Sequence, residues 1–543
     1  MSNFQLSGNI VDIVNQRIYA GSISVENGKI IEIIEEDEKA YTDYIMPGFI
    51  DSHVHIESSM LIPTEFARLA SVHGTVATVS DPHEIANVLG IEGVLFMVEN
   101  ASETPFKFYF GAPSCVPATD FETSGAKILA TDIRKLLEEY ELKYLSEMMN
   151  FPGVLYEFPD VMEKINIAKE LKKPIDGHAP GLRGDPLKKY ISAGITTDHE
   201  CFTLEEALDK ISNGMKILIR EGSAAKNFNT LYKLVEARPD MCMFCSDDKH
   251  PNDLVEGHIN LHVKQSIALG FDLFKVLQVA ILNPIDHYGL DVGLLEEGDD
   301  ADFIIVDNLK DFNVKKTFIK GINVAANGKS LLNSIESNPV NKFVAEKILP
   351  SDLIIEPKSG QIRVIEIIDG ELITNQKILS AKIVNNNVVS DIENDILKIA
   401  VYNRYKPSKP SIAFIHNFGL KTGALASSIA HDSHNILAIG TNDDDLCKAI
   451  NAIIDANGGM AIVNGDSTEV LALPVGGIMT NEDGYIVAKK YSNLDNKAKK
   501  LGSNLKAPFM GLSFMALLVI PKIKLSDKGL FDGEKFEFID LFV

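Results

Sequence analysis

The central part of the chain alternates short apolar runs with amphipathic segments, and this alternation restricts the fold more than any other feature. Helix signals separate the runs: Pro63 stands where one helix begins, and Gly74 stands where it ends. Strand followed by helix, repeated many times, is typical of a parallel sheet. Eight such repeats over about 230 residues fit a (β/α)8 TIM-like barrel, which usually has about 250 residues. The eight predicted strands are the run that ends at His55 and the segments 75–81, 106–114, 142–150, 174–180, 195–200, 215–222 and 241–248.

Segments with strand character lie on both sides of this predicted barrel. Residues 9–36 alternate apolar and polar side chains around turn signals, and a similar texture returns at 300–329. The two pieces together predict one small flanking β-sandwich domain. After about residue 340 strands with Gly and Asn turns are followed by a helix, which indicates a C-terminal α+β domain. The predicted α/β chain therefore has β-sandwich parts at 1–45 and 292–340, the barrel at 46–291, and the α+β domain at 341–543.

Charge and cysteine content restrict the partners and the compartment. The net charge of -24 repels phosphate backbones and anionic membranes, so we expect neither nucleic acid nor membrane partners. The N-terminal residues lack the features of a secretory signal, and a cytoplasmic location is the expectation. Five cysteines do not make a disulfide framework, and Cys242 and Cys245 face opposite ways on one predicted strand, so buried packing is favoured over a redox or zinc site. The large C-terminal domain favours a homo-oligomer.

Histidines and carboxylates stand at the C-terminal ends of five predicted barrel strands. Barrel enzymes build their sites at this end. Each histidine alone is best explained as a half-exposed loop residue, but the set together predicts a site for two divalent cations, with the carboxylate on the fourth strand between them. The six candidate ligands are His53, His55, Glu147, His178, His199 and Asp247.

Such a cation pair would acidify a bridging water and give a hydroxide nucleophile near neutral pH. Asp247 would contact both a cation and this hydroxide, so it is the candidate base that passes a proton to a leaving group. Asp248 points the other way along the strand, and the two exchange roles if the strand register shifts by one residue.

Several motifs resemble those of the amidohydrolase superfamily, and within it the bacterial adenine deaminases. They are PGFIDSHVHIESS, SDPHE, SEMMNFPGV, DGHAPGL, TTDHE and FCSDDKHP, and in the last domain HNFGLKTGALASSIAHDSHNILAIGTND and LALPVGGIMT. The resemblance covers essentially the whole chain. It implies hydrolysis of adenine to hypoxanthine and ammonia by a binuclear centre, with Mn²⁺ expected and Fe²⁺ or Zn²⁺ left open. Many relatives carry a carboxylated lysine on strand four, where this chain has Glu147.

The resemblance also implies addition of the hydroxide at C6 of the purine while a protonated side chain neutralises N1. Glu84 is the candidate N1 donor or an extra metal contact, and a solvated loop glutamate is an equally good interpretation. His83 is a weaker candidate, because adjacent residues on a regular strand do not face the same site. His199 is assigned to the catalytic set as well as to the ligands.

Candidates for substrate contacts lie on the same rim, although rim residues are often merely solvated. They are Ser114, Arg183, Arg220 and Glu221. A free base suits the chain better than a nucleotide, because no phosphate-binding glycine loop is evident. A second polar cluster, His431, Asp432 and His434, is interpreted as packing or a lid rather than a separate catalytic centre.

Two other functions stay open at this point. The first is a cyclic amide hydrolase of the same superfamily, similar to dihydropyrimidinase, although such enzymes usually need the strand-four lysine. The second is a noncatalytic scaffold, against which the intact set of ligands argues, because buried donors are costly without a metal.

Overall fold

The computed structural model describes residues 3–36, 39–223, 225–358 and 360–543. It has an α/β architecture in which a parallel barrel lies between a small β domain and a large C-terminal domain. The predicted fold class is confirmed, whereas the exact domain boundaries stay predictions.

All eight predicted barrel strands are present, and each pairs in parallel with its neighbour within its sheet. The first five strands form one sheet and the last three another. The chain closes one seam itself, because it continues from the eighth strand through Ser246 into Asp247–Asp248, which pairs with the first strand. At the other seam the Thr196 amide donates to the Ile175 carbonyl at 2.9 Å. The strands are Phe49–His55, Thr75–Ser80, Lys107–Ala112, Tyr144–Met148, Ile175–Gly177, Thr197–Asp198, Lys216–Arg220 and Cys242–Cys245.

Helices cover the outside of the barrel, and their ends follow from local sequence. Pro63 occupies the first turn of the first helix, and Gly74 adopts φ 83° just after it, a conformation that glycine takes without strain. Thr203 caps a later helix by accepting from the Glu206 amide. The helices are Pro63–Ala70, His83–Leu89, Ile91–Ser102, Ala130–Glu138, Phe151–Leu155, Pro159–Glu170, Gly184–Ser192, Leu204–Ser212, Phe228–Leu231, Lys233–Ala237, Pro251–Glu256, Ile259–Ala268, Leu273–Leu277 and Asn283–Tyr288.

The small β domain is one eight-stranded sheet built from both sides of the barrel. Its halves join where Tyr44–Pro47 pairs antiparallel with Phe303–Val306. The sheet folds over itself, because the rings of Phe4 and Phe318, which lie three strands apart in the sheet order, have centroids only 5.4 Å apart. This gives the predicted sandwich-like core. The other strands are Phe4–Asp12, Arg17–Glu26, Lys29–Glu35, Val314–Ile319, Ile322–Ala326 and Lys329–Ser330.

The C-terminal domain combines a mixed eight-stranded sheet with helices, as predicted. Its apolar core is continuous with that of the barrel. Polar contacts tie the domain to the first barrel helix: Arg68 lies 2.8 Å from the Asp483 carboxylate, and Glu65 accepts from the Gly484 amide. The sheet strands are Gln361–Ile367, Thr374–Ser380, Ile396–Tyr402, Ser411–His416, Ala424–Ser427, Ile436–Gly440, Gly459–Asn464 and Ser467–Ala472, and the helices are Asp443–Asp455, Gly484–Lys500 and Pro508–Ser513. Lys382–Val384 pairs with Asn387–Val389, and Ile523–Ser526, Gly529–Asp532 and Glu537–Phe538 form a small three-stranded sheet.

Cys242 and Cys245 are buried and free, as are the other three cysteines. In the described parts of the chain, no helix has both the length and the apolar content that crossing a membrane requires.

Candidate active site

The six predicted ligands converge at the C-terminal mouth of the barrel. The Nε2 atoms of His53 and His55 are 3.2 Å apart, and the Asp247 Oδ1 lies 3.7 and 3.3 Å from them. Glu147 lies between two halves of this cluster: His53, His55 and Asp247 form one half, and His178 and His199 form the other. Its Oε1 is 3.3 Å from the His55 Nε2, and its Oε2 is 2.7 Å from the His178 Nδ1 and 3.2 Å from the His199 Nε2. One oxygen therefore faces each half, as a bridging carboxylate requires.

Buried groups behind the cluster fix these orientations. The His55 Nδ1 donates to the Asp81 carbonyl at 3.1 Å, which directs its Nε2 into the cluster. Asp51 accepts from the Ser246 amide at 2.9 Å and so ties the first strand to the residue before Asp247. Asp247 itself has φ 56°, a turn away from strand geometry that lets its side chain reach the histidines.

Sequence reasoning missed Glu200, whose Oε1 lies 3.4 Å from the His199 Nε2 and 3.6 Å from the His178 Nδ1. The sequence signal for Glu200 was its position in the motif TTDHE, directly after the predicted ligand His199. Glu200 and His199 both reach the site because the strand Thr197–Asp198 ends before them, so strand alternation no longer applies. His83 and Glu84 are a second pair of adjacent residues that both face the cluster. They can do so because they open the helix His83–Leu89 and do not lie on a strand. The His83 Nδ1 is 3.5 Å from the Glu147 Oε1 and 3.2 Å from the Asp81 carboxylate.

The predicted rim residues divide into two groups. Arg220 is buried and pairs with Glu200 through two contacts of 2.5 and 2.8 Å and with Asp247 at 2.5 Å, and Ser114 is buried with its hydroxyl donating to the Glu147 carbonyl. Ser114 therefore lies behind the cluster, whereas Arg220 lines the cavity beside Glu200 and Asp247. Arg183 is half exposed, 3.6 Å from Asp209 on the barrel exterior. The side chain of Glu221 is absent from the cavity lining, and its carbonyl accepts from Lys249.

The charges of the cluster are mutually compensated. Burial favours neutral carboxyls, but the imidazoles of His178, His199 and His55 together outweigh it and hold the pKa of Glu147 well below its usual range. Arg220, His55 and His199 together have the same effect on the pKa of Asp247, against burial. Burial also opposes protonation of His199, yet the neighbouring Glu147 raises the pKa of that imidazole to about 9. The site therefore holds ionised carboxylates at neutral pH.

The C-terminal domain covers this mouth. His431 contacts one oxygen of Glu84 through its Nδ1, and His434 contacts the other oxygen through its Nε2. The cavity between the domains is lined by the cluster on one side. The apolar residues on the other side are Leu372, Phe514, Leu517, Val519 and Ile520.

The donor set fits divalent cations. The facing Nε2 atoms of His53 and His55 put two lone pairs towards one point, which is unfavourable unless a cation or proton lies between them. Among the described residues, the buried His199 Nε2, His83 Nδ1 and Asp81 Oδ2 have polar neighbours at 3.2 Å but no contact with hydrogen-bond geometry. Imidazole nitrogens and carboxylate oxygens are common ligands of divalent first-row metals.

Comparisons with known proteins agree with this geometry. The model of the amidohydrolase family matches residues 44–324, and that of the adenine deaminase C-terminal domain matches residues 371–537. An adenine deaminase of Sulfurovum sp. (strain NBC37-1) is 55% identical, covering 99% of both chains. Adenine deaminases of Methanosarcina mazei and Borreliella burgdorferi are 53% and 48% identical, covering 98% and 99% of this chain and 99% and 100% of their own.

Proposed function

The chain belongs to the adenine deaminases of the amidohydrolase family, and we propose on this premise that its site hydrolyses adenine to hypoxanthine and ammonia. One observation carries the proposal: Glu147, on the fourth strand, holds one oxygen towards His55 and the other towards His178 and His199. A site built in this way needs no carboxylated lysine.

Members of this family use divalent metal, and a suitable ligand cluster is present. We propose a pair of cations, Mn²⁺ first and Fe²⁺ or Zn²⁺ as alternatives, held by the six residues at the strand ends. When bound, the pair supplies the Lewis acidity that activates water near neutral pH. The ligands are His53, His55, Glu147, His178, His199 and Asp247.

Asp247 is proposed as the base. Arg220 lies 2.5 Å from its Oδ2, while its Oδ1 faces His53 and His55, so one oxygen is anchored and the other is directed at the reacting centre. Arg220 and the neighbouring histidines outweigh burial and hold the pKa of Asp247 well below its usual range, so this carboxylate is ionised and its Oδ1 is free of a proton. It then passes the proton to the departing amine.

The cavity suits a flat, uncharged base. Apolar side chains of the C-terminal domain face the polar cluster, and Glu84 lies at the junction of the two walls. Glu84 and its histidine partners are placed to serve the ring nitrogen next to the reacting carbon. Arg220 lines the cavity and is proposed to contact the base as well as to hold Glu200 and Asp247, whereas Ser114 is proposed to support Glu147 only.

We further propose a cytoplasmic homo-oligomer that binds neither nucleic acid nor membrane. The net charge of -24 and the five free cysteines support the location, since cysteines stay reduced in such a compartment. Mass measurement in solution tests the assembly, and a strictly monomeric protein contradicts it.

A substrate panel tests the activity. Protein loaded with Mn²⁺, Fe²⁺ or Zn²⁺ is incubated with adenine, adenosine, cytosine and dihydrouracil while ammonia release and ultraviolet absorbance are followed. Ammonia from adenine alone supports the proposal. Opening of the dihydrouracil ring indicates a cyclic amide hydrolase, and no turnover with any metal indicates a noncatalytic scaffold.

A further inference from the structure

Two histidines of the C-terminal domain hold a carboxylate of the barrel. Glu84 uses both oxygens: one contacts the His431 Nδ1 and the other contacts the His434 Nε2. The Nδ1 of His434 accepts from the Ala430 amide at 3.3 Å, so the proton of neutral His434 is on Nε2, where it is donated to Glu84. His434 is therefore a fixed, neutral donor.

His431 has a different environment. Its ring is stacked on Phe514, with centroids 4.8 Å apart and planes at 14°, and the residue lines the cavity. Its Nδ1 is committed to Glu84, and among the described residues no hydrogen bond is made to its Nε2. Because the two ring nitrogens are separated by Cε1 and point in widely divergent directions, the Nε2 is directed away from Glu84.

We propose that His431, and not Glu84, is the acid that protonates the purine at N1, with Glu84 and His434 as the positioning residues that hold it. The inference rests on the proposed adenine deamination. It assigns a catalytic residue to the C-terminal domain, whose other lining residues are apolar except for Asp432.

The charges around His431 support its role as the proton carrier. Carboxylates approach it from three elements: Glu84 from a barrel helix, Asp248 from the end of the eighth strand, and Asp432 from its own loop. His250 faces it with the opposite effect. Burial lowers the pKa of His431, but the carboxylates, Glu84 first, outweigh burial and raise that pKa to about 9. The pKa of Glu84 is held well below its usual range, against burial, by His431 first, so the shared proton belongs to the imidazole at neutral pH.

The proton balance closes without any further reactant. As water adds its oxygen to C6, the N–H bond at the His431 Nε2 breaks and an N1–H bond forms. Loss of ammonia then breaks the bond from C6 to the exocyclic nitrogen. Of the two water protons, one leaves in ammonia by way of Asp247, and the other restores His431. Hypoxanthine keeps the proton at N1.

The pH dependence of kcat/KM separates the two candidate acids, because its basic limb reports the acid of the free enzyme. In the metal-loaded wild type we expect a basic limb near pH 9. His431→Gln should lose this limb and about 10²- to 10⁴-fold in kcat. Glu84→Gln should keep the limb but move it to lower pH, since the carboxylate that raises the pKa of His431 is gone. His416→Gln is the matched control, because His416 lies in the same domain at a distance from the cavity beside Glu366.

A binding measurement gives an independent readout. 1-Deazaadenine lacks N1, whereas 3-deazaadenine keeps it. The wild type should favour 3-deazaadenine by about 10- to 100-fold, the value of a hydrogen bond to a charged group. This preference should shrink in His431→Gln and persist in His416→Gln. Thermal unfolding and metal content of each variant show whether the fold and the cluster are intact.

Each outcome decides the inference. Loss of the limb in Glu84→Gln, with a merely displaced limb in His431→Gln, identifies Glu84 as the acid and overturns it. An unchanged limb and an unchanged deazaadenine preference in His431→Gln also overturn it. A wild type that releases no ammonia from adenine refutes the proposed function instead, which is a separate result.

Discussion

Replacement of Lys210 by methionine should destabilise the barrel strongly. The ammonium is fully buried and lies 2.9 Å from the Asp198 Oδ2, 2.7 Å from the Glu206 Oε1 and 2.8 Å from the Ala179 carbonyl. Methionine fills similar space but leaves two buried carboxylates without their cation. Breaking a buried pair in this way costs about 3–5 kcal/mol of the free energy of unfolding. At about 2–4 °C per kcal/mol for a domain of this size, the melting temperature should fall by about 6–20 °C.

The same variant should weaken metal binding. Asp198 accepts from the amides of Ala179 and Glu200, which directly follow His178 and His199. Lys210 thus holds, through one carboxylate, the chain segments that carry two candidate ligands. Loss of such outer support typically lowers metal affinity by about 10- to 100-fold.

Acid should reduce the loss of stability that Lys210→Met causes. Burial raises the pKa of Asp198, but Lys210 outweighs it and the net pKa lies below the ordinary 3.8. A carboxylate with a lowered pKa stabilises the fold above its unfolded pKa, and this contribution is lost as the pH falls. The difference between wild type and Lys210→Met should therefore be complete at pH 5 and above, and it should shrink as the pH falls below the ordinary pKa of 3.8.

Thermal unfolding followed by circular dichroism, together with metal titration, provides the assay. Lys188→Met is the matched control, because Lys188 pairs with Asp185 at 3.0 Å on the surface with both side chains exposed. Equal melting temperatures for the two variants would refute the reasoning about the buried network.

Three further outcomes follow from the site. Glu147→Gln should lower metal content and rate together, as should His53→Ala, and an unchanged metal count would remove the bridging role of Glu147. Phe514→Ala should raise KM for adenine by up to about tenfold, since it removes an aromatic wall of the cavity, and steady-state kinetics with an unchanged KM would contradict this role. Burial lowers the pKa of Lys524 to about 7, and its ammonium donates to the carbonyls of Leu372 at 2.6 Å and Phe514 at 3.0 Å. Because unfolding restores proton uptake, wild-type stability should rise between pH 7 and about pH 10, and Lys524→Met should lack this rise in denaturant titrations.

The barrel could be predicted because its information is local. Each strand is one short apolar run, and His53, His55 and Glu147 occupy strand ends where period-two geometry still applies. The prediction of which side chains face the site became unreliable one residue beyond the end of a strand. Glu200 and His83 lie in a turn and at the start of a helix, and there both of two adjacent residues face the site.

Other features depend on distant pairing that no local pattern contains. Arg220 lines the cavity, as a rim residue would, but its pairing with Glu200 and Asp247 was not predicted, because three separate strand ends bring these charges together. His431 and Glu84 are 347 positions apart and belong to different domains. Their motifs were visible in the sequence, whereas their contact was not.

The position of the C-terminal domain explains why a barrel with its own complete ligand cluster has this addition. The cluster opens at the mouth of the barrel, where water would otherwise reach Asp247 and Glu84 freely. The bridge between Leu61 and Thr480 and the bond from the Gly484 amide to Glu65 fix the domain beside that mouth. Apolar side chains then face the carboxylates and lower the local dielectric, which strengthens every charge interaction with a bound base. His431 and His434 belong to this domain and contact Glu84. The packing of this domain on the barrel therefore both closes the cavity and positions the proposed acid, His431.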